Sequence, residues 1–176
     1  MARIVVGVGG GIAAFKVATV VSRLVQQGHS VDTVLTAGAT QFIGAATFTA
    51  LCGKPAVVDT YDPRFPLGPH IELAEGCDLL LVAPATARLL ASFAHGLADD
   101  LLATLYLACE GKVLMAPAMS SPMWDKAAVQ RNLVQLQQDG VNFVGPEKGW
   151  LSCRKQGWGR MAEPEQILDA AAQLLK

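Results

Sequence analysis

RIVVGVGGGIAAFKVATVVSRLVQQGHSVDTVL, residues 3–35, decides the fold. Arg3 to Val8 reads as a strand buried on both sides, because apolar residues occupy both faces of its pleat. Glycines follow at once. From about Ile12 to Gln27 the apolar period becomes helical: Ala13, Val17, Val20, Val21 and Leu24 share one face, while Lys16, Thr19, Arg23 and Gln27 share another. Gly28 ends that helix. Val31 to Leu35 is a second apolar strand.

The same alternation continues outward. A helix is predicted around Thr40 to Leu51 and a short strand at Ala56 to Val58. Residues 59–69 hold three prolines and read as loop. Asp78 to Ala83 and Lys112 to Ala116 are buried strands. Between them residues 86–109 are helical, divided near Gly96. Asp125 to Asp139 is a helix closed by Gly140, and Val141 to Val144 is a last strand. Residues 145–160 read as a glycine-rich loop, and Glu163 to Leu175 as the closing helix. Apolar strands alternating with helices indicate an α/β fold: a single doubly wound (Rossmann or flavodoxin-like) domain over residues 1–176, its parallel sheet covered by helices on both faces.

Composition narrows the function classes. The 176 residues are 52 % hydrophobic and only 16 % charged, with net charge −1. Such sparse charge implies that part of the surface is buried against other subunits. The scattered basic residues leave no electrostatic footprint for nucleic acid. No apolar run approaches the ~20 residues that span a membrane, and MARIVVGVGGG lacks the parts of a signal peptide, so a cytoplasmic protein is expected. The four cysteines form no C-x-x-C pair and the histidines complete no zinc pattern, so no metal is expected. Cys52, Cys77 and Cys109 read as reduced thiols of the core; Cys153 stands apart, in the glycine-rich segment.

In sheets of this kind ligands bind at the carboxyl ends of the strands. Four loops lie there: GVGGGIAAFK (7–16), LTAGATQF (35–42), APATARLL (83–90) and APAMSSPMW (116–124). The first pairs glycines with a helix start, where unpaired N–H groups and the helix dipole favour phosphate; read alone it is also a plain tight turn. Ile12 occupies the third glycine position of the dinucleotide fingerprint, and Leu35-Thr36 ends the second strand where an NAD site wants an acidic residue. A mononucleotide fits better than NAD. Thr36 and Thr86 are placed to cap helices or to meet the same phosphate.

GGIAAFK, PHIEL, APATARLLASFAHGLADDLL, APAMSSPMW and CRKQGWGRMAEP, in this order, resemble the flavin-dependent cysteine decarboxylases, above all the branch serving coenzyme A biosynthesis. The resemblance runs from about Arg3 to Ile167. It implies FMN, held by Gly10, Gly11, Ile12, Thr36, Gly38, Ala39, Thr86, Ala87 and Arg88. It implies substrate contacts from Ala118, Met119, Ser120, Trp150, Leu151, Ser152 and Met161, with residues 145–162 as a flap over the site. It assigns active-site roles to His70 and Cys153.

The expected reaction decarboxylates 4'-phosphopantothenoylcysteine, a phosphorylated thiol acid, to 4'-phosphopantetheine. The cysteinyl group is oxidised to a thioaldehyde, carbon dioxide leaves, and the resulting ene-thiol is reduced with Cys153 as proton donor. Relatives that modify peptides lack this cysteine and release the ene-thiol. Two other readings stand beside this one: the same chemistry on another thiol acid, such as a peptide's C-terminal cysteine, and a non-catalytic flavin-binding regulatory subunit. The resemblance also implies a homotrimer or a dodecamer of trimers, with His70 reaching a neighbouring subunit's flavin, and a separate phosphopantothenate–cysteine ligase. The chain departs from the family pattern at four places. Ser120 stands for an asparagine that binds the substrate carboxylate, Arg88-Leu89 for Asn-Thr, Gly9 for a Thr or Ser, and Arg154-Lys155 for Gly-Asp. A serine hydroxyl donates one hydrogen bond where a carboxamide donates two. Arg154 and Lys155 would meet an acidic group on the substrate.

Overall fold

The computed structural model describes all 176 residues. In chain order its elements are β1 (Arg3–Val8), α1 (Ala14–Gln26), β2 (Ser30–Leu35), α2 (Ala45–Cys52), α3 (Pro69–Ala74), β3 (Leu79–Ala85), α4 (Ala87–Ala94), α5 (Leu101–Ala108), β4 (Lys112–Pro117), α6 (Ser121–Trp124), α7 (Ala127–Gln138), β5 (Asn142–Phe143), β6 (Glu147–Trp150), β7 (Gln156–Arg160) and α8 (Pro164–Leu174). Strands β1 to β5 form one parallel sheet in the order β2-β1-β3-β4-β5. Winding reverses between β1 and β3, which opens a crevice at the carboxyl edge there.

The alternation of strand side chains divides the core in two. Ile4, Val6 and Val8 point toward α1, α2 and α8, where Val17, Val20, Val21, Leu24, Phe48 and Ile167 cover them. Val5, Leu80 and Val82 point the other way, onto Leu89, Leu90, Phe93, Leu102 and Leu105 of α4 and α5. Each of these side chains, removed from water, contributes about 1.5–3 kcal/mol before chain entropy is set against it. The Phe93 and Tyr106 rings stack with centroids 4.1 Å apart.

Four local expectations are corrected. The helix foreseen at Thr40–Leu51 is a 3₁₀ turn at Ala39–Gln41 and then α2, because Gly44 is extended (φ −73°, ψ 143°) and breaks the run. Ala56–Val58 makes a single parallel bridge, Val57 with Val34, rather than a strand. The loop expected through Pro69 ends one residue earlier, because Pro69 starts the short helix α3 at a position where its missing N–H costs nothing. Residues 147–160 are not a loop but an antiparallel hairpin, β6–β7, separate from the main sheet. Among the cysteines, Cys77 is buried, Cys52 and Cys109 half-buried, and Cys153 exposed. No helix is long and apolar enough to cross a membrane.

Two contacts shape the loops around the crevice. A Cβ on Gly9 would lie 2.1 Å from the Pro84 carbonyl oxygen and 2.9 Å from Leu89 Cδ1, so the β1 and β3 ends meet there with no room for a side chain. In the segment leading to α3, the Asp62 carboxylate accepts from the Arg64 N–H at 3.0 Å and from Arg64 Nε at 2.9 Å. The side-chain hydrogen bond from Arg64 holds the Asp62 carboxyl down at about 2.

The clash at Gly9 predicts that Gly9→Ser, although it would restore the hydroxyl usual in the resembling family, lowers stability by about 3 kcal/mol or more, since the obstacle is backbone and cannot rotate away. Urea denaturation checks this, and an unchanged midpoint would overturn it. The Asp62 carboxyl, depressed in the fold, stabilises above its unfolded-state pKa, and that contribution is lost as pH falls toward 2. Asp62→Asn should therefore be less stable than the parent at pH 6, with the gap closing between pH 4 and pH 2.

Candidate active site at the carboxyl edge of the sheet

The loops after β1, β3 and β4 and the β6–β7 hairpin enclose one cleft of about 620 Å³, within the range of small-molecule and cofactor sites. It brings together thirteen of the residues foreseen for cofactor, substrate or catalysis: Gly10, Gly11, Ile12, Thr86, Ala87, Ala118, Met119, Ser120, Trp150, Leu151, Ser152, Cys153 and Met161. A smaller cavity of about 360 Å³ lies between α4 and α7, lined by His95 and Arg131, far from every strand-end loop.

The floor is backbone. The N–H groups of Gly10, Gly11, Ile12 and Ala13 find no acceptor within the chain, and α1 begins directly after them. Four free donors at the positive end of a 13-residue helix make an anion cradle. Gly10 abuts Gly38, whose carbonyl carbon lies 2.7 Å from where a Cβ on Gly10 would be. Gly38 thus shapes the cradle from behind. Thr86 caps α4 by accepting from the Leu89 N–H at 3.3 Å, which leaves its hydroxyl hydrogen free to donate toward the cleft.

Three foreseen cofactor contacts sit elsewhere. Thr36 is 5 % exposed; its hydroxyl donates to the Val8 carbonyl at 3.3 Å and accepts from the Ala39 N–H at 3.2 Å. It locks the β2 loop against β1 and does not line the cleft. Ala39 is fully buried in the core. Arg88 turns away: its guanidinium pairs with Asp99 at 2.9 Å and Asp100 at 2.5 Å. Asp100 also caps α5, through the Ala103 N–H at 2.8 Å. Two carboxylates at that helix start attract the cation more strongly than a solvent-facing helix end would.

The walls are apolar and partly exposed: Ile12, Phe15, Met123 and Trp150. They suit a flat aromatic ring system. Phe15, Lys16 and Arg160 also line the cleft and are missed in sequence, Lys16 because the helical period sets it on the solvent face.

The β6–β7 hairpin closes the cleft and carries Cys153 at its tip. It is seated on the loop after β4. The Met119 N–H donates to the Gly159 carbonyl at 2.9 Å, and Ser121 Oγ donates to the Trp158 carbonyl at 2.7 Å. A Cβ on Gly157 would lie 2.1 Å from Ser121 Oγ, and one on Gly159 (φ +119°) 2.1 Å from the Met119 carbonyl oxygen. Ser120 is the N-cap of α6, yet its hydroxyl makes no hydrogen bond within the chain; only its carbonyl is used, by Met123 and Trp124. The hydroxyl is free for a ligand.

His70 lies outside this cleft, on α3. Its Nδ1 is buried and has no partner in the chain. Leu67 and Ile71, on either side of it in sequence, are exposed.

The chain is similar to known proteins over nearly its whole length. The family described as Flavoprotein matches residues 1–176. The chain is 42 % identical over 165 residues to the coenzyme A biosynthesis bifunctional protein CoaBC of Bacillus subtilis (strain 168), covering 93 % of this chain and 41 % of that protein. It is 43 % identical over 174 residues to CoaBC of Mycobacterium tuberculosis (strain ATCC 25618 / H37Rv), covering 99 % and 41 %. The chain therefore spans about two-fifths of the length of these relatives. Among solved structures it is similar to the FMN-dependent cysteine decarboxylase SpaF, with TM-score 0.82, 33 % identity, and 97 % of this chain and 98 % of that one covered. It is also similar to a cysteine-to-serine mutant of PPC decarboxylase complexed with pantothenoylaminoethenethiol, with TM-score 0.86, 26 % identity and coverages of 98 % and 97 %. The chain belongs to the flavoprotein family, among its FMN-dependent cysteine decarboxylases.

Proposed function

We propose that the chain decarboxylates 4'-phosphopantothenoylcysteine to 4'-phosphopantetheine with FMN. The observation that carries this is Cys153, held by a hairpin over the same cleft whose floor is the free-amide cradle. The residues present fit FMN. The amides of Gly10 to Ala13 and the Thr86 hydroxyl would hold its phosphate, and Ile12, Phe15 and Met119 would flank its ring. When bound, FMN supplies a two-electron oxidation of the cysteinyl group and returns both electrons after carbon dioxide has left.

The protein's own residues bind, orient and protonate. The Ser120 hydroxyl donates to the substrate carboxylate. Loss of that carboxylate is favoured where apolar walls exclude water from it, and Met119, Met123 and Trp150 form those walls. The carbanion left behind delocalises toward sulfur. Cys153 Sγ–H then gives its proton to carbon as the ene-thiol is reduced to the saturated thiol. Substrate reaches the cleft from a ligase that joins cysteine to phosphopantothenate. Copies of the chain assemble as trimers, in which His70 of one copy meets the cleft of the next; its unpartnered Nδ1 and the exposed apolar residues on either side of it in sequence support this.

Purified protein should be yellow and, without air, should convert phosphopantothenoylcysteine to phosphopantetheine with loss of one carbon dioxide, read by mass spectrometry. Cys153→Ser should still release carbon dioxide but accumulate the ene-thiol, lighter than phosphopantetheine by one hydrogen pair. Saturated product from that variant would remove Cys153 from its role, and a yellow wild type that leaves the substrate untouched would move the reading to another thiol acid or to a binding role. Ser120→Asn adds a second donor to the carboxylate and should lower KM by roughly three- to tenfold, the net effect of one added hydrogen bond; steady-state kinetics checks it.

A further inference from the structure

The β6–β7 hairpin is fastened on two sides. On one it rests on the β4 loop through Met119 and Ser121. On the other a single carboxylate gathers it in. Glu163, which begins α8, accepts from Lys16 Nζ at 2.9 Å on each of its two oxygens. It also pairs with Arg160 at the end of β7. Arg160 lies 4.0 Å from Glu147 on β6, and Glu147 accepts from Gln166 Nε2 at 2.6 Å. Both strands of the hairpin are thereby tied to α8, and through Glu163 to α1, whose free amides form the floor of the cleft. Lys16 and Arg160 both line that cleft.

The tie is shielded. The Lys16 side chain is only 18 % exposed, and the guanidinium stem of Arg160 lies across Gly149, where a Cβ would come within 2.8 Å of it. The Lys16 ammonium, against the opposing effect of burial and with Arg160 assisting, keeps the Glu163 carboxyl below its ordinary range. Glu163 also caps α8 through a reciprocal capping box: its side chain accepts from the Gln166 N–H, its own N–H donates to Gln166 Oε1 at 2.7 Å, and its carbonyl accepts from Ile167. The same carboxylate meets the two cations, and a glutamine in its place keeps an oxygen for the cap but loses the charge that holds Lys16 and Arg160.

We propose that Glu163 is a positioning residue whose carboxylate latches the hairpin shut, joining Lys16 beneath the cleft to Arg160 at the hairpin's base and so keeping Cys153 over the bound substrate. Releasing the latch leaves the cleft and its chemistry intact but lets the tip swing away. This second consequence rests on the decarboxylase reading: with the tip away, the ene-thiol departs before Cys153 protonates it, and the product mixture shifts from saturated thiol toward ene-thiol at similar overall carbon dioxide release.

The tip offers a reporter that needs no substrate, because Arg154 and Lys155 are exposed there and trypsin cuts after both. Flavin-loaded full-length chain and its Glu163→Gln variant are digested briefly and the cuts located by mass spectrometry. Cleavage at residues 154 and 155 is expected to rise about three- to tenfold in Glu163→Gln, as it would if the open population grew by that factor. Lys16→Met, read by cleavage alone because Lys16 lines the cleft, serves as the second variant should Glu163→Gln fail to fold. An unchanged cleavage rate in a folded variant overturns the latch. In the activity assay the ene-thiol fraction should rise in step; faster cleavage with an unchanged product mixture overturns the positioning role, since loosened packing alone would alter cleavage and stability but not that ratio. Wild-type protein that releases no carbon dioxide defeats the decarboxylase reading and leaves the latch to be judged on cleavage.

Discussion

Backbone meets backbone at the carboxyl edge of this sheet, and the site depends on that closeness. The ends of β1 and β3 touch through Gly9 and the Pro84 carbonyl, and the loops after β1 and β2 touch through Gly10 and Gly38. Winding reverses between β1 and β3, so the chain departs in opposite directions and leaves a crevice that side chains do not fill. Free amides are exposed there because α1 starts without a side-chain cap. A conventional N-cap serine or aspartate would satisfy them internally and leave less for an anion.

The chain is frugal with charge, and the ion pairs described above secure loops rather than the core. Arg64 and Asp62 shape the approach to α3, Arg88 braces the start of α5, and Lys16 with Arg160 converge on Glu163. Isolated surface pairs contribute little. These organise segments that have few apolar contacts of their own, which is where a modest directional interaction decides the geometry. Arg88 shows how composition misleads: a cation beside a phosphate-friendly turn invites assignment to the ligand, yet carboxylates eleven and twelve residues further on claim it.

Much of this was legible in the sequence. The apolar strands, the amphipathic α1 and the four strand-end loops followed from periodicity, and thirteen foreseen residues line one cleft. What escaped notice did so for physical reasons. EKGW and QGWGR are interrupted by glycines and do not read as strands; Gly157 and Gly159 are there because the hairpin presses against Ser121 and Met119, and Gly149 because the Arg160 side chain lies across it. Lys16 looked solvent-facing because periodicity sees one helix and not α8 packed beside it. Thr36 and Ala39 lay in the right loop, but the register of that loop turned them inward, and no local pattern encodes that.

Toward the loop after β4 the hairpin itself presents only glycine and main-chain atoms, whereas its tip, Ser152 to Gln156, is exposed and contributes no side chain to that contact. The two are therefore separable under selection. Tip residues can be exchanged without disturbing how the hairpin lies on the protein, while the glycines beneath are constrained. A lineage built on this scaffold can retarget its substrate by rewriting the exposed positions around Cys153, and an engineer can treat those neighbours as a replaceable cassette.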